Sequence, residues 1–80
     1  MAKMREELSK FADRCEEILK DNDYKDGWQD CSQSVLVDKL REEVDELFHV
    51  LDKMKNRKDI TDEACDVANI AMMIADNWGE

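Results

Sequence analysis

The sequence of 80 residues contains no proline, only two glycines and a single histidine. Proline and glycine break regular elements, so their scarcity, beside 42% hydrophobic and 41% charged residues, is typical of amphipathic helices. We therefore expect an all-α fold with one domain, residues 1–80. A chain this short buries a smaller fraction of its surface than a longer one, and we expect a second subunit to add to its core.

Cysteine pairs and long apolar runs are also missing. Cys15, Cys31 and Cys65 are odd in number and have no CxxC spacing, which argues against a disulfide framework and against a zinc knuckle. The longest nearly apolar run, residues 64–75, is shorter than the roughly 20 residues that cross a bilayer, and the N-terminus lacks an apolar core for export. These features predict a cytoplasmic protein with no membrane partner.

Basic residues are few, with 12 Lys and Arg against 21 Asp and Glu and a formal net charge of −9. A negative field of this kind opposes binding to a nucleic-acid backbone, so we expect no nucleic-acid partner. A small phosphate-bearing ligand is compatible with the charge only if divalent cations lie between its phosphates and the carboxylates of the protein.

Hydrophobic residues recur at spacings of three and four in three segments, which predicts three helices. The first extends from Ala2 to Lys20. The second extends from Gln33 to Lys55 and is expected to pack along a heptad stripe formed by Val37, Leu40, Val44, Leu47, Leu51 and Met54. NRKD, residues 56–59, is expected to be a short connection, and Asp59 or Thr61 to cap a third helix that ends near Trp78. This third helix is apolar nearly all round and is expected to lie between helices of two subunits.

The segment DNDYKDGWQDCS separates the first two predicted helices, and its Ser32 is expected to cap the second. It fails as a calcium-binding EF-hand loop, because the sixth position from Asp21 is Asp26 instead of Gly and the twelfth is Ser32 instead of Glu. Tyr24 and Trp28 are expected to pin this loop to the helices, with stacking on a planar ligand as the alternative.

Acidic side chains interrupt the apolar run of the third helix. Asp66 and Asn69 are the only polar residues among residues 64–75, and Glu63 lies one turn before Asp66 on the same stripe. A carboxylate surrounded by Ala, Ile and Met must find a partner or lose its charge. This predicts a partner for Asp66, and a metal ion is the one we expect.

Two acids of the second helix, Glu43 and Glu46, also lie one turn apart, beside Lys39. On an antiparallel hairpin they would face Glu63 and Asp66. Four carboxylates within a few Å repel one another unless cations neutralise them or they take up protons. Ligands that are all oxygen favour Mg²⁺, with Mn²⁺ as the alternative.

KLREEVDEL, which begins at Lys39, and DEACDVAN, which ends at Asn69, resemble the MazG-like all-α nucleoside triphosphate pyrophosphohydrolases, whose pattern is ExxE, a spacer and ExxD. The resemblance covers the second and third helices, and GWQDCS resembles the entry to the second. It implies a three-helix unit that forms a multi-helix bundle by dimerisation, as a homodimer or a tetramer. It also implies Mg²⁺-dependent hydrolysis of a nucleoside triphosphate to the monophosphate and pyrophosphate.

The resemblance also implies roles for individual residues. Lys39 would contact phosphate, and Asn69 would touch the nucleotide or orient a ligand. Trp28 is a further candidate for substrate binding, through the stacking on a planar ligand given above as the alternative to its structural role. The metal ligands, one of which could act as general base instead, would be Glu43, Glu46, Glu63 and Asp66.

Cys65 departs from the family pattern, because relatives often have Gly there, and the sequence ends at Glu80 where many relatives continue. The expectation is either that a partner subunit supplies phosphate contacts, from Lys55, Arg57 and Lys58, or that activity is reduced.

Two other classes remain open. The regular heptads of the second helix are also typical of a non-catalytic helical dimerisation or interaction module. Glu46 and His49 have the Glu-x-x-His spacing of di-iron bundles, but the third helix has no histidine, so a dimer would have to supply both copies.

Overall fold

The structure is a computed structural model that describes residues 3–21, 27–53 and 56–80. Within these ranges it contains three α-helices, α1 (Glu6–Lys20), α2 (Gln33–Asp52) and α3 (Arg57–Trp78), and no β-strand. A short 3₁₀ helix, Trp28–Asp30, precedes α2. The predicted all-α class is confirmed for this part of the chain. None of the described helices has an apolar stretch long enough to cross a membrane.

The first helix begins later than its hydrophobic pattern predicted. α1 begins at Glu6, while Ala2, the expected first residue, lies outside the described residues. Arg5 makes no side-chain cap, and Glu6 and Glu7 place two negative charges in the first turn, where the helix dipole favours them. The helix therefore begins where the acids stabilise its N-terminus.

Side-chain caps fix the beginnings of α2 and α3. Ser32 caps α2 as predicted, because its Oγ accepts a hydrogen bond from the backbone N–H of Val35 at 3.3 Å. The predicted cap of α3 at Asp59 or Thr61 is wrong: Asn56 Oδ1 accepts a hydrogen bond from the backbone N–H of Asp59 at 2.9 Å. Asparagine is a strong N-cap residue, so the segment NRKD contributes the first turn of α3 instead of a loop.

The third helix is the centre of the fold. α3 packs against both α1 and α2, whereas no pair of described α1 and α2 residues has Cα atoms within 8 Å. The buried side chains among the described residues are few: Cys15, Leu36, Cys65, Asn69 and Ile70. A narrow core along α3 therefore holds two helices whose backbones are closer to α3 than to each other.

The second helix buries its heptad stripe only in part: Val37, Leu40, Val44 and Leu47 are half-buried. Leu36, next to the stripe, is 3% exposed, whereas Leu51, within it, is 47% exposed. Met54, the expected last residue of the stripe, and Lys55, the expected last residue of the helix, lie outside the described residues. α2 is described to Asp52. Leu36, Glu43 and Val50, which flank the stripe on one side, are buried or half-buried, so the inward face of α2 is offset from the predicted stripe towards that side. Glu43 lies on this side, in the seam with α3.

Charged and polar contacts attach α1 to α3. Arg14 donates to both carboxylate oxygens of Asp62, from Nε at 2.8 Å and from a terminal nitrogen at 3.0 Å. Lys58 Nζ also donates to Asp62, at 2.9 Å. Deeper in the seam, Asn69 Nδ2 donates to the carbonyl oxygen of Cys15 at 3.1 Å. The hydrogen bonds from Arg14 and Lys58 lower the pKa of Asp62 to about 2.

The Asp62→Ala variant should have a clearly lower melting midpoint, because it removes the bidentate partner of Arg14 and loosens α1 from α3. The control is Asp38→Ala, since Asp38 lies 3.9 Å from Arg41 with both side chains more than 70% exposed, and such pairs add little stability. Since the pKa of Asp62 is lowered from 3.8, the difference between wild type and Asp62→Ala should be largest above pH 4 and should shrink as the pH falls towards 2. Equal midpoints for the two variants would contradict this role.

Candidate metal centre and adjoining cavity

Three of the predicted acids meet in the seam between α2 and α3. Glu43, Glu63 and Asp66 each place one carboxylate oxygen within 4.8 Å of the oxygens of the other two. All three side chains are half-buried. Glu43 Oε2 and Glu63 Oε2 are enclosed and have no hydrogen-bond partner in the described structure. Enclosed carboxylate oxygens without a donor are costly, so this acidic cluster is suited to a cation or to bound protons.

Burial and mutual repulsion shift the titration of the acidic cluster. The pKa of Glu63 is raised to about 7, first by burial and then by the charges of Asp66 and Glu46. Burial likewise raises the pKa values of Glu43 and Asp66, while the positive charge of Lys39 acts in the opposite direction on both. Glu63 is therefore the acid of the cluster whose proton binding reaches towards neutral pH.

Glu46, the fourth predicted acid, is not one of the three converging residues. Its side chain is exposed, and it lies roughly 60° further round α2 than Glu43, at 100° per residue. Its charge still contributes to the raised pKa values of Glu63 and Asp66. Glu46 therefore lies at the rim of the cluster, on the solvent side.

A cavity of about 530 Å³ adjoins the acidic cluster. Its polar lining consists of Lys39, Glu43, Asp66 and Asn69, all of which were predicted as site residues from the sequence, and Trp28 lines it as well. The remaining walls are mainly apolar and come from all three helices: Ile18, Leu19, Val35, Leu36, Ile70 and Met73. The part of the lining that comes from α1, Ile18 and Leu19, was not predicted, because the periodicity of α1 indicates a packed face without indicating what it packs against.

Asn69 and Trp28 both make hydrogen bonds that attach other segments to α3. Asn69 is 9% exposed, and its bond to the Cys15 carbonyl commits one of its amide hydrogens to α1. Trp28 Nε1 donates to Asp76 Oδ2 at 3.0 Å, and Asn77 Nδ2 donates to the carbonyl oxygen of Trp28 at 2.9 Å. Trp28 thus pins its segment to α3 and also lines the cavity, whereas Tyr24 lies outside the described residues.

The remaining basic and histidine candidates lie apart from the three acids. Lys58 is bonded to Asp62, Arg57 is exposed at the beginning of α3, and Lys55 lies outside the described residues. His49 is exposed on α2 and is not a member of the cluster, which consists of carboxylates alone. The described site therefore offers hard oxygen ligands of the kind that Mg²⁺ and Mn²⁺ prefer.

The spacing of the acids fits a small divalent ion. Octahedral Mg²⁺ with oxygen ligands at about 2.1 Å places adjacent ligands roughly 3 Å apart and opposite ligands roughly 4.2 Å apart. The separations in the cluster are within 4.8 Å, so modest rotations of the side chains would bring the three oxygens to a common ion. The enclosed oxygens of Glu43 and Glu63 would then gain the partner that they lack.

Comparisons of this chain with models of known protein families, with curated proteins and with solved structures found no match.

The melting midpoint of the protein in EDTA should rise as the pH is lowered from 8 to 5. Folded Glu63 binds a proton below about pH 7, whereas its unfolded counterpart does so only near pH 4.5, so protonation favours the folded state in this range. Mg²⁺ should raise the midpoint most at pH 8, where it does not compete with protons, and least at pH 5. In EDTA, the melting midpoint of the Glu63→Gln variant should depend less on pH than that of the wild type. A midpoint that does not respond to Mg²⁺ at pH 8 would contradict the metal site.

Proposed function

We propose that the protein is a Mg²⁺-dependent nucleoside triphosphate pyrophosphohydrolase of the MazG-like type, with Mn²⁺ as an alternative ion. The observation that carries this proposal is the convergence of Glu43, Glu63 and Asp66 beside a cavity. These acids belong to the ExxE and ExxD motifs, and two of their oxygens are enclosed without a partner. The substrate would be a free nucleotide of the cytoplasm.

The chemistry of the cluster suits phosphoryl transfer. Mg²⁺ bound there would polarise the phosphorus under attack, lower the pKa of a bound water and offset charge on the leaving pyrophosphate. Lys39, which lines the cavity together with Glu43 and Asp66, is placed to bind a phosphate oxygen. Glu46 at the rim, which already acts on the pKa values of Glu63 and Asp66, would be the fourth carboxylate of the proposed site.

The cavity suits the nucleoside part of such a substrate. Its volume of about 530 Å³ lies within the range of small-molecule sites, roughly 300–1,000 Å³. Its lining combines the charged side chains of Lys39, Glu43 and Asp66 with mainly apolar ones and Trp28, which would suit a ligand with a charged triphosphate and a planar base. A substrate of this shape would place its phosphates at the acidic cluster and its base among the apolar side chains.

Pairing with a second copy is part of the proposal. The chain exposes 6513 Å², whereas a folded monomer of 9.4 kDa is expected to expose about 5,000 Å². Several large apolar side chains are exposed, among them Val35, Phe48 and Leu51 on α2 and Trp78 on α3. The excess is about twice the roughly 800 Å² that each partner buries in a standard interface. This excess supports a homodimer or a tetramer.

The exposed face of α2 also favours the second candidate, a non-catalytic helical interaction module. Phe48 and Leu51 are 58% and 47% exposed, and a partner helix would cover them as readily as a second catalytic subunit. A module of this kind needs no enclosed acids, however, and has no use for the unpartnered oxygens of Glu43 and Glu63. A response to metal therefore separates the two candidates.

The Asp66→Asn variant should lose at least about 100-fold of the Mg²⁺-dependent release of pyrophosphate, because it removes a ligand charge from the centre of the cluster. The same variant should melt at an equal or higher temperature than the wild type in EDTA, since one repelling carboxylate has gone. Asp45→Asn, an exposed acid of α2, makes the same charge change and should leave both values unchanged. The assay uses a panel of ribo- and deoxynucleoside triphosphates. Full activity in Asp66→Asn would show that the site is wrongly assigned.

Sizing of the protein in solution should give two or four chains instead of one. Phe48→Glu should shift the assembly towards the monomer, because it places a charge in the exposed apolar face of α2. Glu42→Lys, an exposed substitution on the same helix, is the control and should leave the assembly intact. A wild type that is monomeric at the concentration of the activity assay would contradict the assembly.

A further inference from the structure

The segment that carries Trp28 is attached to the C-terminal end of α3 by two hydrogen bonds. The indole N–H of Trp28 donates to Asp76 Oδ2 at 3.0 Å, and Asn77 Nδ2 donates to the carbonyl oxygen of Trp28 at 2.9 Å. The same carbonyl accepts a hydrogen bond from the backbone N–H of Cys31 at 3.0 Å, which closes the 3₁₀ helix. One α3 residue thus holds the side chain of Trp28, and its neighbour holds the main chain.

These contacts join residues that are 48 and 49 positions apart in the sequence. Gly27, Trp28 and Cys31, from the attached segment, all line the cavity of about 530 Å³. Asp76 and Asn77 do not line it, so their influence on a ligand would be exerted through Trp28. The position of this cavity wall therefore depends on residues outside the cavity.

We propose that Asp76 and Asn77 are positioning residues that fix Trp28 as a wall of the cavity and thereby set the affinity for the nucleoside part of the substrate. This inference rests on the proposed function, in which that part of the substrate lies among the apolar side chains of the cavity. Asp76 is not one of the clustered acids, and neither Asp76 nor Asn77 lines the cavity, so substrate binding and not the chemical step would change when they are replaced.

Asp76→Ala and Asn77→Ala should each raise KM roughly 2- to 10-fold, the change expected for the loss of one hydrogen bond, with kcat nearly constant. Trp28→Phe keeps the aromatic face but removes the indole N–H, so it breaks the same bond as Asp76→Ala. Combining these two substitutions should therefore add little to either alone. Asp76→Asn retains an acceptor oxygen and should restore most of the affinity. Asp45→Ala is the charge-matched control and should leave KM unchanged.

A second measurement does not depend on catalysis. The sequence has two tryptophans, so Trp78→Phe leaves Trp28 as the only indole. In that background, acrylamide should quench the fluorescence of Trp28 more strongly after Asp76→Ala or Asn77→Ala, and titration with a nucleoside triphosphate and Mg²⁺ should show weaker binding.

The outcomes separate the two proposals. Unchanged quenching in both variants would overturn the positioning role whatever the activity, and so would fully additive effects of Trp28→Phe and Asp76→Ala on KM. A wild type that binds nucleoside triphosphates more tightly than the variants, but releases no pyrophosphate, would overturn the proposed activity and support the positioning role. A wild type that binds no nucleotide would overturn both.

Discussion

Like charges packed together between α2 and α3 are the constraint on which the arrangement of the protein depends. Glu43, Glu63 and Asp66 lie within 4.8 Å of one another at their oxygens, where burial makes their ionised forms costly. Protons or a divalent cation can relieve this repulsion. The protonated cluster and the cation-bound cluster would differ in charge and in geometry. The seam is therefore a place where repulsion opposes folding and where a bound cation would stabilise the folded state.

Few buried apolar side chains stabilise the packing of the helices around this seam. Leu36 and Ile70 are the large aliphatic side chains that the described part of the chain buries, and Cys15 and Cys65 complete the small core. Burying thiols and one asparagine supplies less hydrophobic free energy than burying leucines would. Polar contacts at the α1–α3 seam and coverage of the exposed apolar face by a second copy would offset this deficit.

Periodicity and charge spacing predicted much of this structure. The three helices, the Ser32 cap and the acids facing one another across the hairpin follow from local patterns whose physical basis lies within one or two turns. The offset of the inward face of α2 from its stripe could not be predicted in this way, because Leu36 and Leu51 are equally apolar, although one is 3% and the other 47% exposed. The Asn56 cap was not predicted, because Asp59 and Thr61 are also good cap residues in the same segment. The partners of Trp28 lie 48 and 49 residues away in the sequence, so no local pattern could indicate them.

The separation of α1 from α2 has a consequence for local unfolding. Since no described α1 residue has its Cα within 8 Å of an α2 Cα, while α1 packs closely on α3, detachment of α1 as a unit would leave the α2–α3 hairpin in place. The amide protons of α1 would then exchange with solvent through a lower-energy opening than those of α3. Such an opening would remove Ile18 and Leu19 from the cavity but leave the three acids in place. These two parts of the site would thus belong to different cooperative units of one small chain.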